Sequence, residues 1–246
     1  MNTVLFDLDG TMLPMDQDVF AHGYFSELAK KFAGYGLNGK KLVECVWAGT
    51  REMIKNDGSM TNEERFWKTF SGLMGEDILK LRPQFDEFYR KEFNNVQEKM
   101  GFTPLAQQCL TILRDKGYRL IAATNPIFPK DGTLNRMRWA GVDPEMFEII
   151  TTYETCSYSK PNLKYYESLL QTAGLEARDC LMVGNDLRED MCAGKLGIDT
   201  YLITDCIIAD KDADLSQIKH GSYEDFKAYA SSLPDLNSYG MVNKRN

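Results

Sequence analysis

The 246-residue sequence lacks the features that mark several large classes of protein. It has only two histidines, and none of its six cysteines forms a C-x-x-C pair, which argues against a zinc cluster or a disulfide framework. No apolar run approaches the ~20 residues that cross a bilayer. The net charge of −7 argues against a protein that binds nucleic acid through a basic surface. With 43% hydrophobic and 26% charged residues, the chain has the composition of a globular protein with a packed core.

The N-terminus lacks the basic start and apolar stretch of a secretory signal. It enters the short apolar run Val4-Leu5-Phe6 almost at once, and acidic residues follow. Together with the unpaired cysteines, this start predicts a cytoplasmic protein with reduced thiols. The sequence leaves the oligomeric state open.

Five short apolar runs, each bounded by turn residues, are typical of strands buried on both faces of a parallel sheet. Segments with helical periodicity separate the last four runs, and another such segment precedes them. This alternation predicts an α/β fold with a doubly wound, mostly parallel sheet. The predicted strands are 3–6, 119–123, 148–151, 180–183 and 200–203.

Residues 16–98 interrupt the alternation because their pattern is helical throughout. Thr61 is expected to cap one of these helices, and Pro83 to kink or split another. We interpret 16–98 as a small helical cap domain inserted into a core made of residues 1–15 and 99–246, of which 237–246 form a loose polar tail. The predicted cap helices lie near 20–32, 40–54, 61–73 and 77–93.

Two carboxylates follow the first predicted strand in the motif Asp7-Leu8-Asp9-Gly10-Thr11. Residues two apart in an extended chain point the same way, so Asp7 and Asp9 can meet at the carboxyl edge of the sheet, where open α/β sheets bind ligands. Two acids this close require a cation or a shared proton, and their oxygen atoms suit Mg²⁺. An ordinary Asp-Gly surface turn is the alternative interpretation.

Polar residues also follow two later strands. Thr124 and Asn125 can donate hydrogen bonds to a phosphoryl oxygen, and Lys160 offers a point charge to a phosphate or to a nucleophile. Pro161 is expected at the first position of the next helix. Taken singly, the Thr-Asn pair equally fits a plain turn, and the lysine fits a solvated loop.

An acidic pair follows the fourth predicted strand. Asp186 and Asp190 are four residues apart, so on the helix predicted here they share one face. Acidic residues in a first helical turn also complement the helix dipole, which is the alternative reading of this pair.

Taken together, the four stretches resemble the haloacid dehalogenase-like hydrolase superfamily. Its pattern is D-x-D-G-T, then Ser or Thr, then Lys, then an acidic pair, each at the end of a different strand. The helical insertion is similar to that superfamily's C1-type cap, and the resemblance covers the core from end to end. It implies a Mg²⁺-dependent phosphatase that acts on a small phosphate ester, with no nucleic-acid or membrane partner.

The resemblance also implies roles for particular residues. Asp7 matches the nucleophile that forms an aspartyl-phosphate, and Asp9 matches the general acid and base. Thr124 and Lys160 match residues that bind the transferred phosphoryl group and balance its charge, and Asn125, which follows Thr124 in the sequence, is a further phosphate-binding candidate.

For the metal, the resemblance implies ligation by the Asp7 carboxylate, the Asp9 main-chain carbonyl and Asp186. Asp190 is expected to support the ion through water or a hydrogen-bonded neighbour. Many relatives have an acid directly after the glycine of this last motif, where this chain has Asn185. Others have one more residue in between, which matches Gly184-Asn185-Asp186 and favours Asp186 as the direct ligand.

Cap residues of such relatives contact the organic part of the substrate. Trp47, Arg51, Arg65 and Trp67 are the candidates here, and Trp47 and Arg51 can share a helix face. A tryptophan at helical spacing equally fits the core of the cap, and Arg51 equally fits an ordinary surface position.

Other members of the superfamily set the alternatives. Asp9 argues against a dehalogenase, because breaking a carbon–halogen bond requires no protonated leaving group. A phosphonatase would need a cap lysine that forms a Schiff base, for which Lys40, Lys41 and Lys55 stay open. A phosphomutase, and a non-catalytic module that binds a partner through its cap, are the remaining alternatives.

Overall fold

A six-stranded parallel sheet forms the centre of the computed structural model, which describes residues 1–238. The strands are β1 (Thr3–Phe6), β2 (Arg119–Ala122), β3 (Ile149–Ile150), β4 (Cys180–Gly184), β5 (Asp199–Ile203) and β6 (His220–Gly221). Their order across the sheet is β3, β2, β1, β4, β5, β6, and every neighbouring pair is parallel. The first strand in sequence is therefore central, which brings its carboxyl end to the middle of the sheet edge.

Both faces of the sheet are covered, as a parallel sheet requires. All four residues of β1 are buried, and its three apolar residues alternate between two hydrophobic clusters. Val4 and Phe6 belong to one cluster and Leu5 to the other. The predicted α/β fold with a doubly wound sheet is confirmed.

Eight α-helices are described in residues 1–238. They are α1 (Gln17–Ala33), α2 (Gly39–Ile54), α3 (Asn62–Met74), α4 (Arg82–Arg90), α5 (Leu105–Asp115), α6 (Lys130–Trp139), α7 (Leu163–Ala173) and α8 (Tyr223–Ser232). Short 3₁₀ segments lie at Glu76–Leu81, Glu92–Lys99, Pro144–Met146, Ala177–Asp179 and Met191–Leu196.

The segment between β1 and α5 is helical in the described structure. Thr61 caps α3 through a reciprocal box with Glu64, in which each side chain accepts a hydrogen bond from the other residue's main chain. The helix predicted over 77–93 is divided near Pro83, as expected. Pro83 lies in the first turn of α4, where its missing N–H costs no helical hydrogen bond. The domain boundaries at 16 and 98 stay a prediction.

Three local expectations were wrong. The sixth strand was missed because His220–Gly221 is two residues long and has no apolar pattern. Pro161 does not begin α7, which starts at Leu163 behind an Asn162 cap.

The helix expected at Asp186 is a turn, and a 3₁₀ segment follows from Met191. In the turn, Asp186 Oδ1 accepts hydrogen bonds from the N–H groups of Arg188 and Glu189 at 2.7 and 2.9 Å. Asp190 Oδ2 accepts one from the Asp186 N–H at 3.0 Å. Side-chain acceptors thus hold N–H groups at the start of this segment, which favours a turn over an α-helix.

None of the helices in residues 1–238 has the length and apolar character needed to cross a bilayer. All six cysteines are free thiols, as expected for a chain without a disulfide framework. The cytoplasmic location stays a prediction. Most of the predicted tail, from residue 239 onward, lies outside the described residues.

Candidate active site

Asp7 lies at the carboxyl end of the central strand. Its N–H donates to the Val183 carbonyl at 2.9 Å, and the Ala123 N–H donates to the Phe6 carbonyl at 2.7 Å. Sheet pairing thus continues one residue past β1 on both sides. The residues that follow β2 and β4 consequently lie beside Asp7, as the strand-end argument predicts.

A buried charge cluster surrounds the Asp7 carboxylate. Lys160 Nζ donates to Asp7 Oδ1 at 2.9 Å and to Asp190 Oδ1 at 2.6 Å. The Lys160 side chain is fully buried, and those of Asp7 and Asp190 are 10% and 1% exposed. Burial opposes the charge on Lys160, but the two carboxylates outweigh it and raise its pKa well above the usual value. Lys160 is therefore a fixed cation beside Asp7.

Two glycines permit this close packing. Gly10 has φ +81°, and a Cβ there would lie 2.3 Å from Asn185 Nδ2. A Cβ on Gly184 would lie 2.1 Å from Asp190 Oδ2. The Thr11 hydroxyl donates within 3.0 Å to Asn185 Oδ1 and lies 3.3 Å from Asp7 Oδ2. Asn185 thus links the first and last motifs by hydrogen bonding.

Asp9 has a different environment from Asp7. Its Oδ2 is bonded by Arg136 Nη1, and its Oδ1 is buried without a partner among residues 1–238. Arg136 is completely buried on α6, and its guanidinium lies 4.2 Å above the centre of the Phe128 ring. Burial raises the pKa of Asp9, and Arg136 opposes that rise. A carboxyl group with a raised pKa keeps its acidic proton to higher pH than an ordinary aspartic acid does, which suits a general acid.

Sequence reasoning missed Arg136. The signal in the sequence is the helical spacing of uncharged Thr133 and Ala140, which lie three residues before and four residues after Arg136, and the structure shows that both are buried. An arginine on the buried stripe of a helix requires an anionic partner. The sequence does not show that this partner is Asp9, which lies 127 residues earlier.

The polar residues after β2 lie on the same edge. The Thr124 carbonyl accepts hydrogen bonds from the Thr151 and Tyr165 hydroxyls at 2.7 and 3.0 Å, which fixes the main chain next to Asp7. Asn125 Nδ2 donates to Glu189 Oε2 at 2.9 Å, and Asn125 Oδ1 is buried without a partner in the described chain. Burial raises the pKa of Glu189 to about 7, with Lys160 opposing the rise.

The oxygen atoms at this edge fit a hard divalent cation. Within residues 1–238, neither the Asp9 main-chain oxygen nor Asp186 Oδ2 accepts a hydrogen bond, and Asp7 Oδ2 receives only the long contact from Thr11. Two carboxylates and one carbonyl form a donor set suited to Mg²⁺. Nowhere in the described chain do three or more His, Cys, Asp or Glu side chains form a metal cluster. Both Asp190 oxygens are engaged, so the geometry does not support Asp190 as a direct ligand.

A cavity of about 190 Å³ extends from Asp9 into the helical segment. Trp47, which is 44% exposed, and the buried Trp67 both line it. Arg51 is exposed on α2 and does not line the cavity, and Arg65 also lies outside the lining and pairs with Asp57 at 3.1 Å. The structure therefore brings the two tryptophans to the cavity but neither arginine.

Buried Asn62, at the start of α3, ties the helical segment to the core. Its main-chain N–H donates to the Cys156 carbonyl at 2.8 Å. Its side-chain amide donates to Pro126 O and to Ser159 Oγ, each at 3.0 Å. Ser159 directly precedes Lys160 in the chain. The contact between helical segment and core thus reaches the loop that carries the buried cation.

Comparison with known proteins agrees with this arrangement. The family model described as haloacid dehalogenase-like hydrolase matches residues 4–203. A glyceraldehyde 3-phosphate phosphatase from Methanothermobacter thermautotrophicus is 25% identical over 213 residues, which are 82% of this chain and 85% of that protein.

Solved structures of similar fold include enzymes named for two different reactions. A HAD phosphatase from Thermococcus onnurineus has a TM-score of 0.60 at 19% identity, covering 96% of this chain and 100% of that one. A 2-haloacid dehalogenase from Pseudomonas syringae has a TM-score of 0.58 at 18% identity, covering 93% and 97%. At these identities the fold alone is shared, and it does not separate the two reactions. The family model matches this chain from the first strand to the fifth. The chain therefore belongs to the haloacid dehalogenase-like hydrolases.

Proposed function

We propose that the protein is a phosphatase that hydrolyses a small phosphate monoester through a covalent intermediate on Asp7. The observation that carries the proposal is the placement of two neighbouring carboxyl groups in different environments. Asp7 is held by a buried ammonium, whereas Asp9 has a raised pKa and lies at the cavity. One group is suited to attack, and the other to proton transfer.

The proposed reaction has two steps. First, an Asp7 oxygen bonds to phosphorus while the ester P–O bond breaks, and the proton on Asp9 passes to the departing alcohol oxygen. Then Asp9 takes a proton from water, the water oxygen bonds to phosphorus, and the P–O bond to Asp7 breaks to release phosphate. A dehalogenase would not require this proton transfer, so Asp9 favours the phosphatase over that relative.

Charge repulsion between Asp7 and a phosphate dianion is the main obstacle to attack. Lys160 reduces that repulsion from within the protein, and Thr124 and Asn125 are proposed to lie against the phosphoryl oxygens. Asp7, the Asp9 carbonyl and Asp186 would hold Mg²⁺, which when bound supplies further positive charge at the phosphoryl group. Any support of that ion by Asp190 would be indirect, since its oxygens contact Lys160 and the Asp186 N–H.

The helical segment, residues 16–98, is proposed to open and close over Asp7. Its two connections to the core lie side by side, because the Gly101 N–H donates to the Pro14 carbonyl at 2.8 Å. Paired connections of this kind allow a hinge, and a closed segment would exclude water while the covalent intermediate forms. An enclosed site of this kind favours metabolites over intact phosphoproteins as substrates.

The test is phosphate release from a panel of small phosphate esters with Mg²⁺ and with EDTA. Asp7→Asn should lower kcat/KM by roughly 10⁴-fold or more, as expected when a nucleophile is removed. Asp212→Asn, at an exposed position, is the matched control and should equal the wild type. Activity of Asp7→Asn within about tenfold of wild type, a barrier change of only ~1.4 kcal/mol, would rule out Asp7 as the nucleophile. Full activity in EDTA would rule out the metal.

A further inference from the structure

The cavity beside Asp9 is lined mainly by aromatic and apolar residues, which is unusual for a site that binds phosphate esters. Ten of its nineteen lining residues are aromatic. Asp9 and Asp86 are the charged residues among them, and no lysine, arginine or histidine of the described chain belongs to the lining. The cavity next to the proposed proton donor is therefore mostly apolar, and the two charged residues in its lining are both acidic.

Two arginines that stack on lining residues are already paired. Arg136 stacks on Phe128 and bonds Asp9, and Arg82 stacks on Trp67 and bonds Glu63. Each guanidinium already has a carboxylate partner, so neither is free to pair with an anionic group of a ligand. Asp86 is exposed and has no ion pair within residues 1–238. Lys130 follows the lining residue Pro129 but does not itself belong to the lining. A second negative charge inside the cavity would consequently meet no lining cation and would approach the Asp86 carboxylate.

Size and shape also favour a ring. An apolar cavity of about 150 Å³ takes up benzene, and this one measures about 190 Å³. Trp47 is 44% exposed at the cavity and packs against Phe25 with ring centroids 5.2 Å apart. The Trp47 ring is therefore half exposed to solvent at the edge of the apolar cavity. In this position it can pack over a bound ligand.

We infer that the organic group of the substrate is aromatic and carries no second anion, so that the enzyme hydrolyses an aromatic alcohol phosphate in preference to a phosphorylated acid or a bisphosphate. This inference rests on the proposed phosphatase activity. It assigns the cavity to the leaving alcohol, whose oxygen would lie at Asp9 while its ring lies among the aromatic side chains.

Three esters with primary alcohol leaving groups test the inference with the Mg²⁺-loaded wild-type protein. They are ethyl phosphate, 2-phenylethyl phosphate and the 4-carboxy derivative of 2-phenylethyl phosphate. Adding the ring should raise kcat/KM at least about tenfold, and adding the carboxylate should lower it again at least about tenfold. Equal or better hydrolysis of ethyl phosphate or of the carboxylated ester would overturn the inference.

Trp47→Ala should reduce the advantage of 2-phenylethyl over ethyl phosphate several-fold. Tyr35→Ala, which removes an aromatic ring of similar exposure (46%) outside the lining, should leave that ratio unchanged. Calorimetric binding of the three esters to the Asp7→Asn protein should give the same ranking without turnover. Equal loss in both alanine variants would mean that Trp47 has no contact with the ring.

The outcomes separate the two proposals. If ethyl phosphate is hydrolysed in an Asp7-dependent way but the ring gives no advantage in turnover or binding, only the substrate inference fails. If none of the esters is hydrolysed and none binds, the proposed phosphatase function fails, and the substrate inference fails with it.

Discussion

The two sides of Asp9 differ in the kinds of residue that form them. On the side of the sheet, Lys160 contacts two carboxylates within 2.9 Å, and all three groups are buried. On the side of the helical segment, aromatic rings surround a cavity whose charged residues are Asp9 and Asp86. On the first side, a few charged groups at fixed positions make the important contacts. On the second side, many aromatic rings together form the shape of the cavity. Single substitutions should therefore act strongly on the first side and weakly on the second.

The largest effect among the tests of this contrast is expected at Lys160. Lys160→Met leaves Asp7 and Asp190 as buried carboxylates without their cation, which should cost about 3–5 kcal/mol of folding free energy. It should also lower kcat/KM by roughly 10²–10³-fold, because the fixed charge beside the phosphoryl group is lost. Urea unfolding and steady-state kinetics measure the two effects.

Lys164→Met is the matched control, because Lys164 is exposed on α7 and its Nζ lies 5.6 Å from the centre of the Tyr158 ring. It should stay close to wild type in both measurements. If the two methionine variants had the same stability and kcat/KM, the buried charge cluster would contribute no more than a surface lysine. The contrast between the two sides of Asp9 would then be wrong.

A smaller effect is expected at Arg136, which bonds Asp9 and stacks on Phe128, a residue of the cavity lining. Arg136→Met removes the group that lowers the pKa of Asp9, so that pKa should rise further. The pH at which the acidic proton of Asp9 is lost should then move upward, which shifts the alkaline limb of the kcat profile to higher pH. Loss of the carboxylate's orientation should lower kcat by about 10- to 100-fold.

A purely structural role for Arg136 would change stability without moving the pH profile. Arg138→Met, on the exposed face of α6, is the control and should leave the profile unchanged. An unshifted alkaline limb in Arg136→Met would show that Arg136 does not tune Asp9.

The smallest effect is a change in stability at Glu189. Its pKa is raised to about 7 in the folded protein, so the folded state holds a proton that the unfolded chain has lost between about pH 4.5 and 7. Stability therefore falls as pH rises through this range, and the penalty is complete above pH 7. Glu189→Gln removes the penalty and should stabilise the metal-free protein by about 1–3 kcal/mol at pH 8, with little change at pH 4.

Urea unfolding in EDTA at the two pH values measures this difference. Glu167→Gln, at an exposed position on α7, should show no such pH dependence. If Glu189→Gln destabilised the protein at pH 8, the carboxylate would be a stabilising partner of Asn125 rather than a strained one.

The residues that sequence reasoning placed at the edge of the sheet are those that follow strands. Asp7, Thr124, Lys160 and Asp186 each come shortly after an apolar run, and parallel strands bring their carboxyl ends to one edge. The fold class was predictable for the same reason, because fully buried strands produce unbroken apolar runs.

Contacts between distant helices could not be predicted in this way. Arg51 was a candidate for substrate contact because it lies four residues after Trp47, with an ordinary surface position as the alternative. Helical spacing does not specify which part of a helix face meets the cavity, and Arg51 does not line it. The partners of Asp190 were also unexpected, because its place in a turn depends on hydrogen bonds that only the folded chain defines. The pairing of Arg136 with Asp9 likewise depends on tertiary packing.

The buried amide of Asn62 has a consequence for the end of the catalytic cycle. If the helical segment lifts, the hydrogen bonds from Asn62 to Pro126 and Ser159 break, and the chain just before Lys160 loses part of its support. The inorganic phosphate left after hydrolysis would then lose its enclosure at the same moment as its nearest protein cation is loosened. Opening and product escape would thereby become a single event, and free phosphate returning to the open enzyme would meet an incomplete binding site. Weak product inhibition would be the result, and it would depend on the side chain of Asn62.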